Sequence, residues 1–449
     1  MAAPLCASTA SRIDSVINHS SQKKVQFAVK VIDASSGKTI YTRNAATPMI
    51  PASNAKIVAS ASALKYLGPN YKFTTTIGML DSTLVIIGAG DPLLGDPETD
   101  AKYGRKPGWI FEDIILALKK ARIRSIDGII ADTTFFDNNR VHPSWPKDQL
   151  NRYYACEVSG LNYNANCVKI DAKRKGKSVT LTLTPSTAFV TLVNKVKPSS
   201  KTNAVGAWRN SVPNKLIVKG YCKSESGFDV AIEKPAAFFA FLLAERLAAA
   251  GIEVKGDFTE KYIKKDSSIR TLRTYKTPIA EVLTRCNADS FGLAAESLIK
   301  TISAENTSYR INGEWPHGLN LAKRYLLSTG VKADEFILTD GSGLSRQNKL
   351  SPNALTSILR DIYKGPNRKF FEETLAVGGL KGSRPVRAYF TDKKYKGKVF
   401  AKSGTLDGVK ALSGICRTEH GDRIFSIITN KANANTRKAI NDIVKAIFE

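Results

Sequence analysis

Extended, alternating runs stand near both ends of this 449-residue chain, with helical periodicity between them. Phe27, Val29 and Val31 alternate with Ala28 and Lys30, Ser35-Ser36-Gly37-Lys38 supplies a turn, and Ile40-Tyr41-Thr42 extends again. Period-two alternation broken by turn residues reads as a β-hairpin. Far downstream, Val399 to Ala401, Val409 to Cys416 and Arg423 to Thr429 repeat the strand pattern, the last two pairing across His420-Gly421-Asp422. A hairpin near residue 30 and strands after 399, with helices between, fit one sheet assembled from both ends of the chain.

The middle reads differently. Ile57, Ala61 and Leu64 recur at helical spacing until Gly68-Pro69 stops the segment, so Ser53 is expected in the first turn of a buried helix. From about 70 to 270, short strands (Thr83 to Ile87, Ile126 to Ala131) alternate with helices at Phe111 to Ala121 and Pro235 to Gly251, which predicts an inserted α/β region. Within it, Cys167 to Tyr221 is rich in β-branched residues and turn-forming spacers, the pattern of a small nested all-β piece. Helical periodicity returns through Ile279 to Leu283 and Leu293 to Ile302, and an amphipathic helix with Ile440, Val444 and Ile447 on one face closes the chain. The expected domains are therefore 1–69 with 272–449, an insertion of 70–160 with 226–271, and a nested β-rich piece at 161–225.

The longest uninterrupted apolar stretch, Ala236 to Ala244, is nine residues, far short of a bilayer span, so no transmembrane segment is expected. With 67 basic against 40 acidic residues the formal charge is +27, which favours any anionic polymer nearby. The densest basic runs, Lys173-Arg174-Lys175-Gly176-Lys177 and Lys393-Lys394-Tyr395-Lys396-Gly397-Lys398, carry glycine between strand-like segments and read as solvated turns; no nucleic-acid module accompanies them. Cys6, Cys156, Cys167, Cys222, Cys286 and Cys416 lack metal-ligand spacing, so no metal is expected. Cys156 and Cys167 are near enough in sequence to close a disulfide in an oxidising compartment, with scattered buried thiols as the alternative.

The chemistry is carried by polar residues in a set order. Ser53-Asn54-Ala55-Lys56 follows Pro51, and residues three apart on a helix are surface neighbours, so a hydroxyl and an amine stand side by side. Such a pair activates serine without histidine. His19, His142, His317 and His420 have no Gly-x-Ser-x-Gly elbow to serve, and no carboxylate pair has a context suited to glycosidase work; Asp91 and Asp340 lie in glycine-rich turns. Ser290 and Lys402-Ser403-Gly404-Thr405 follow, giving the order Ser-x-x-Lys, Ser, Lys-Ser-Gly-Thr.

This order, with Gly90-Asp91-Pro92-Leu93, Asp127-Gly128-Ile129-Ile130-Ala131-Asp132, Leu161-Asn162-Tyr163-Asn164-Ala165-Asn166, Asp340-Gly341-Ser342-Gly343-Leu344-Ser345-Arg346 and Ala411-Leu412-Ser413-Gly414, resembles the low-molecular-mass class C penicillin-binding proteins, the D-alanyl-D-alanine carboxypeptidase/endopeptidase family. The 237 residues separating Ser53 from Ser290, by subtraction, also resemble that family's insertion and exceed a simple class A β-lactamase. The resemblance implies an α+β fold: a penicillin-binding/β-lactamase-like transpeptidase domain, its central antiparallel sheet carrying helices on both faces, with a large α/β insertion and a nested β domain. It implies a serine carboxypeptidase or endopeptidase acting on peptidoglycan stem peptides, acylated by β-lactams and needing no cofactor.

By the same resemblance Ser53 would be the nucleophile and Lys56 its base, lowered in pKa by burial and by Lys402. Ser290 would pass a proton to the leaving amine, and Lys402, Ser403 and Thr405 would hold the terminal carboxylate. The backbone N–H groups of Ser53 and Thr405 would form the oxyanion hole, and Gly404 would let the substrate backbone approach. That chemistry belongs outside the cytoplasm, in the periplasm or cell-wall space. Met1 to Ala10 shows neither a charged n-region nor an apolar h-region, so a trimmed signal is expected. One element departs from the pattern: Ser290-Phe291-Gly292 has glycine where the family has asparagine, and Asn287 and Asn54 are the candidates to replace it. Two other readings stay open, a catalytically weak homologue serving as a cell-wall binding module and a related β-lactamase, D-aminopeptidase or esterase.

Overall fold

The computed structural model describes residues 8–264, 268–307 and 311–449; Cys6 and most of the segment read for a signal lie outside them. The chain divides into two compact units, Met1–Tyr71 with Ile279–Ser308 and Trp315–Glu449, and Lys72–Pro278 with Tyr309–Glu314.

The first unit is built on a sheet of six strands: β1 (Gln26–Asp33), β2 (Thr39–Arg43), β3 (Ala376–Val377), β4 (Val399–Leu406), β5 (Val409–Thr418) and β6 (Gly421–Asn430), in the order β3-β4-β5-β6-β1-β2. β1 and β6 run antiparallel in unbroken register from Gln26 opposite Asn430 to Asp33 opposite Arg423, so the first strand of the chain lies beside the last. Alternation sends Phe27, Val29 and Val31, with Phe425 and Ile427, to one face, where they meet Ile13 and Ile17 of helix α1 (Thr9–Ile17) and the Ile440, Ile443 and Val444 stripe of the C-terminal helix.

The opposite face receives α2 (Ala55–Leu67), α3 (Ile279–Asn287), α4 (Gly292–Glu305), α5 (Trp315–Ser328) and α6 (Pro352–Lys364); the C-terminal helix is α7 (Thr436–Ala446). Helix α6 packs on β6 and β1, and α2 packs among α3, α4, α5 and α6. Every residue of α2 from Ala55 to Leu64 is buried, as a helix surrounded by other helices requires, and its small residues Ala59, Ser60, Ala61, Ser62 and Ala63 permit that crowding. The helix ends at Gly68, φ 77°, which only a residue without Cβ adopts cheaply. Ser53 lies one step earlier than expected, in a 3₁₀ turn (Ala52–Asn54) feeding α2 rather than in the α-helix itself.

The second unit holds a five-stranded mixed sheet ordered Phe258–Glu260, Ile129–Asp132, Thr83–Gly88, Lys72–Leu80, Arg270–Pro278, with helices Trp109–Lys120 and Pro235–Ala249. The β-branched stretch forms two three-stranded sheets in the same unit, one ordered Ala204–Trp208, Lys215–Cys222, Thr191–Pro198 and the other Glu225–Ala231, Cys167–Lys175, Ser178–Thr184. Ala172, Val179 and Cys222 pack together among them.

The disulfide allowed for Cys156 and Cys167 is not made: both are buried thiols. Burial pushes the Cys167 thiol well above its ordinary range, which keeps it protonated and unreactive. No helix among the described residues is long and apolar enough to cross a membrane.

Candidate active site

Three elements converge where the sequence places its chemistry. The 3₁₀ turn carries Ser53, the bend before α4 carries Ser290, and β4 carries Lys402 to Thr405. Lys56 Nζ lies 3.2 Å from Ser53 Oγ, one helical turn away, and donates at 2.7 Å to the Ser342 carbonyl. Lys402 Nζ donates at 2.8 Å to Ser290 Oγ and at 2.9 Å to the Ser403 carbonyl. Ser403 Oγ lies 3.0 Å from Ser383 Oγ. Ser53 alone among residues 51–60 is not fully buried, so the hydroxyl is the group offered to a ligand while its lysine stays behind.

Both lysines are buried, Lys56 2% and Lys402 0% exposed. Burial pushes Lys56 below the ordinary lysine range, against the raising influence of Cys286, Glu296 and Asp340. Burial likewise pushes Lys402 well below that range, and the charge of Lys56 adds to it. The repulsion expected to lower Lys56 thus falls on Lys402, and loss of hydration is what lowers Lys56.

The backbone around the nucleophile is strained and wedged. Ala52 has φ 48° and Ser290 φ 65°, a left-handed conformation costing a residue with Cβ about 1 kcal/mol. Two glycines make the wedge possible. A Cβ on Gly343, φ 79°, would fall 1.9 Å from the Ala52 carbonyl oxygen, and one on Gly404 would fall 2.7 Å from the Pro51 carbonyl oxygen and 3.2 Å from Ser53 N. The missing side chain at Gly404 thus lets the turn that carries Ser53 sit directly on β4.

Neither candidate replaces the missing asparagine. Asn54 Nδ2 donates to Ser413 Oγ at 2.7 Å, turned into the sheet, and Asn287 Nδ2 donates to Thr374 Oγ1 at 2.9 Å. The second partner of Lys56 is instead the Ser342 carbonyl, in a loop laced by two buried acids. Glu296 accepts from Trp315 Nε1 (2.8 Å), Gly341 N (3.0 Å) and Ser342 N (2.7 Å). Asp340 accepts from Gly343 N, Ser345 N and Asn348 Nδ2, each at 2.7 Å. Burial pushes Glu296 up to about 7, with Asp340 adding to the rise.

Sequence reasoning missed Glu296, and missed Arg437 too. Arg437 Nη2 donates to the Gly404 carbonyl (2.9 Å) and Thr405 Oγ1 (3.1 Å), and Nη1 to the Ala411 carbonyl (3.2 Å). Burial pushes this guanidinium down to about 10. It puts a cation behind the exposed Thr405. Both residues left a trace in the sequence. Arg437 sits three residues before Ile440 on the apolar stripe of α7, and Glu296 interrupts the apolar run Leu293-Ala294-Ala295 before Leu298-Ile299; a charge at a core position asks for a partner.

A buried amine beside a reachable serine, with a second lysine–serine pair facing it, is an acyl-transfer arrangement. The comparisons agree. A D-alanyl-D-alanine carboxypeptidase of Actinomadura sp. (strain R39) is 26% identical over 466 residues, spanning 96% of this chain and 82% of its own. The carboxypeptidase DacB of Haemophilus influenzae is 24% identical, spanning 85% and 80%. The crystal structure of penicillin-binding protein 4 (dacB) from Haemophilus influenzae superposes with a TM-score of 0.82 over 97% of this chain and 99% of that one at 21% identity, which establishes the fold. Bd3459, a predatory peptidoglycan endopeptidase from Bdellovibrio bacteriovorus, superposes at 0.54 with 14% identity over 95% and 93%. Over residues 9–447 the sequence matches the D-Ala-D-Ala carboxypeptidase 3 (S13) family, and the chain belongs to it.

Proposed function

We propose that this serine D-Ala-D-Ala carboxypeptidase works through Ser53 as nucleophile and Lys56 as general base, with Ser290 delivering the leaving-group proton. The observation that carries the assignment is the 3.2 Å approach of a fully buried Lys56 Nζ to Ser53 Oγ. Lys56, uncharged, takes the serine proton as Oγ adds to the carbonyl carbon between the two terminal D-alanines of a stem peptide. The oxyanion rests between the backbone N–H groups of Ser53 and Thr405, where loss of one donor costs on the order of 10²–10³ in rate. Collapse breaks the C–N bond, Ser290 Oγ gives its proton to the leaving amine nitrogen and is resupplied by the proton that Lys56 took from Ser53, and water later hydrolyses the ester.

The terminal carboxylate is held by Ser403, Thr405 and Lys402, with Arg437 supplying charge from behind. A β-lactam carbonyl enters by the same path and leaves a stable ester. Substrate chemistry places the enzyme in the periplasm or cell-wall space, and the +27 charge suits adhesion to anionic wall polymers. The reading as a weak binding homologue, prompted by Gly292, is disfavoured because Lys56 keeps a second hydrogen-bond partner without the asparagine.

Incubation with fluorescent penicillin should label the wild type and not Ser53→Ala, and the wild type should release D-alanine from a diacyl tripeptide ending in D-Ala-D-Ala. An unlabelled wild type would remove the nucleophile assignment. Label without peptide turnover would favour the binding module, and rapid release of hydrolysed drug a β-lactamase.

A further inference from the structure

The second motif ends in Gly292, so α4 begins with no side-chain amide to orient Lys56. One turn further on, at i+4 and so on the same helical face, the same helix carries Glu296. Its Oε1 accepts from Ser342 N at 2.7 Å and its Oε2 from Gly341 N at 3.0 Å, which grips the two peptide units immediately before the Ser342 carbonyl. That carbonyl takes the Lys56 N–H at 2.7 Å. A neutral amine has one lone pair, and a lysine that is to accept the serine proton must aim it at Ser53 Oγ. Fixing one of its N–H bonds on a rigid acceptor is the way to do so.

We infer that Glu296 is the positioning residue for the general base: by clamping the Gly341 and Ser342 amides it aims the Ser342 carbonyl at Lys56 Nζ, and this main-chain contact stands in for the asparagine that the second motif lacks. The inference rests on the assignment of Lys56 as base made above. Asp340 shapes the far side of the same loop through Gly343, Ser345 and Asn348. The titratable groups acting on Lys56 are Cys286 from α3, Glu296 from α4 and Asp340 from the loop, with Lys402 facing it from β4. Glu296 raises Lys56, and so does a carbonyl that accepts from its ammonium form. Removing the clamp therefore has two separable effects: the base loses its orientation, and its pKa falls further.

The experiment measures acylation of the full chain by a chromogenic cephalosporin as a function of concentration and pH, in the wild type, Glu296→Gln and Glu296→Asp. For Glu296→Gln the saturating acylation rate should fall about 30-fold, since misplacement by about 1 Å costs up to 10²-fold. Its non-covalent affinity for the drug should stay within about twofold, because Glu296 bonds the loop and not the drug pocket, and the acid limb of its rate profile should move to lower pH. Glu296→Asp keeps the charge but shortens the reach, and should recover part of the rate with a limb nearer the wild type. A folded Glu296→Gln that acylates at the wild-type rate overturns the inference. So does a slower one whose acid limb has not moved, which would mark a merely structural role. If Glu296→Gln does not fold, a wild-type rate and limb in Glu296→Asp overturn it. Failure of the wild type itself to acylate would instead sink the assignment of Lys56.

Discussion

Lys56 stands where water has been taken from it. An amine held 2% exposed has its charged form penalised, so it sheds its proton at lower pH than the 10.5 of an ordinary lysine. Acylation should accordingly rise with pH on the acid side and level off below pH 10.5, and Lys56→Arg, which cannot deprotonate, should lose at least ~10³-fold in acylation rate at every pH, read with fluorescent penicillin. The same displaced pKa bears on stability. Between the lowered folded value and 10.5 the unfolded chain binds protons that the folded chain does not, so the contribution of Lys56 and Lys402 rises with pH through that window and is lost below it. Arg437 makes a different case. Replacing it by Gln withdraws charge and at least one donor from the Gly404 and Ala411 carbonyls and the Thr405 hydroxyl. The KM for a D-Ala-D-Ala peptide should rise roughly 10-fold or more, the scale of a lost charge-assisted contact, with kcat less affected. That Ser53 meets Lys56 and Ser290 meets Lys402 was legible, because such chemistry needs particular residue types at fixed spacing. Glu296 and Arg437 showed only as charges at core positions: most of their partners are main-chain groups, which a sequence does not mark.

At the level of elements, the nucleophile turn is held between β4 and the Asp340-Gly341-Ser342-Gly343 loop by two missing side chains. Gly404→Ala puts a methyl 2.7 Å from the Pro51 oxygen, a main-chain atom, so the turn itself must shift; penicillin acylation should drop about 10-fold. Gly343→Ala is worse on two counts, a methyl 1.9 Å from the Ala52 oxygen and a φ of 79°, and should drop acylation ~10²-fold or more while circular dichroism stays near the wild type. Equal, small losses in the two variants would mean that the turn is not wedged. The hairpin Gln26–Arg43, the buried α2 and the stripe of α7 were readable from period alone, whereas α5, α6 and the strands Lys72–Leu80 and Arg270–Pro278 were not read. The 3₁₀ turn at Ala52–Asn54 was not, since its strained Ala52 is fixed by what packs on it and not by its own preference.

Over the whole molecule, the 207-residue stretch from Lys72 to Pro278 leaves and rejoins the first unit at one point, where Ile279 N donates to the Tyr71 carbonyl at 2.9 Å. Replacing residues 72–278 by a short Gly-Ser link should therefore preserve acylation at Ser53, measured as penicillin labelling of the shortened chain; complete loss of label would mean that the catalytic unit depends on its insertion. The placing of β1 between β2 and β6 has a further consequence, and it concerns time. Ribosomes add ~5–20 residues per second, so roughly 20–80 s pass between the synthesis of β1 and that of its partner β6. For most of that interval Ser53 has been made but β4, the strand on which its turn sits, has not. Nascent chains arrested before residue 399 should fail to react with penicillin, and chains released whole should react. In this topology the turn that carries Ser53 gains its seat only once β4 is made.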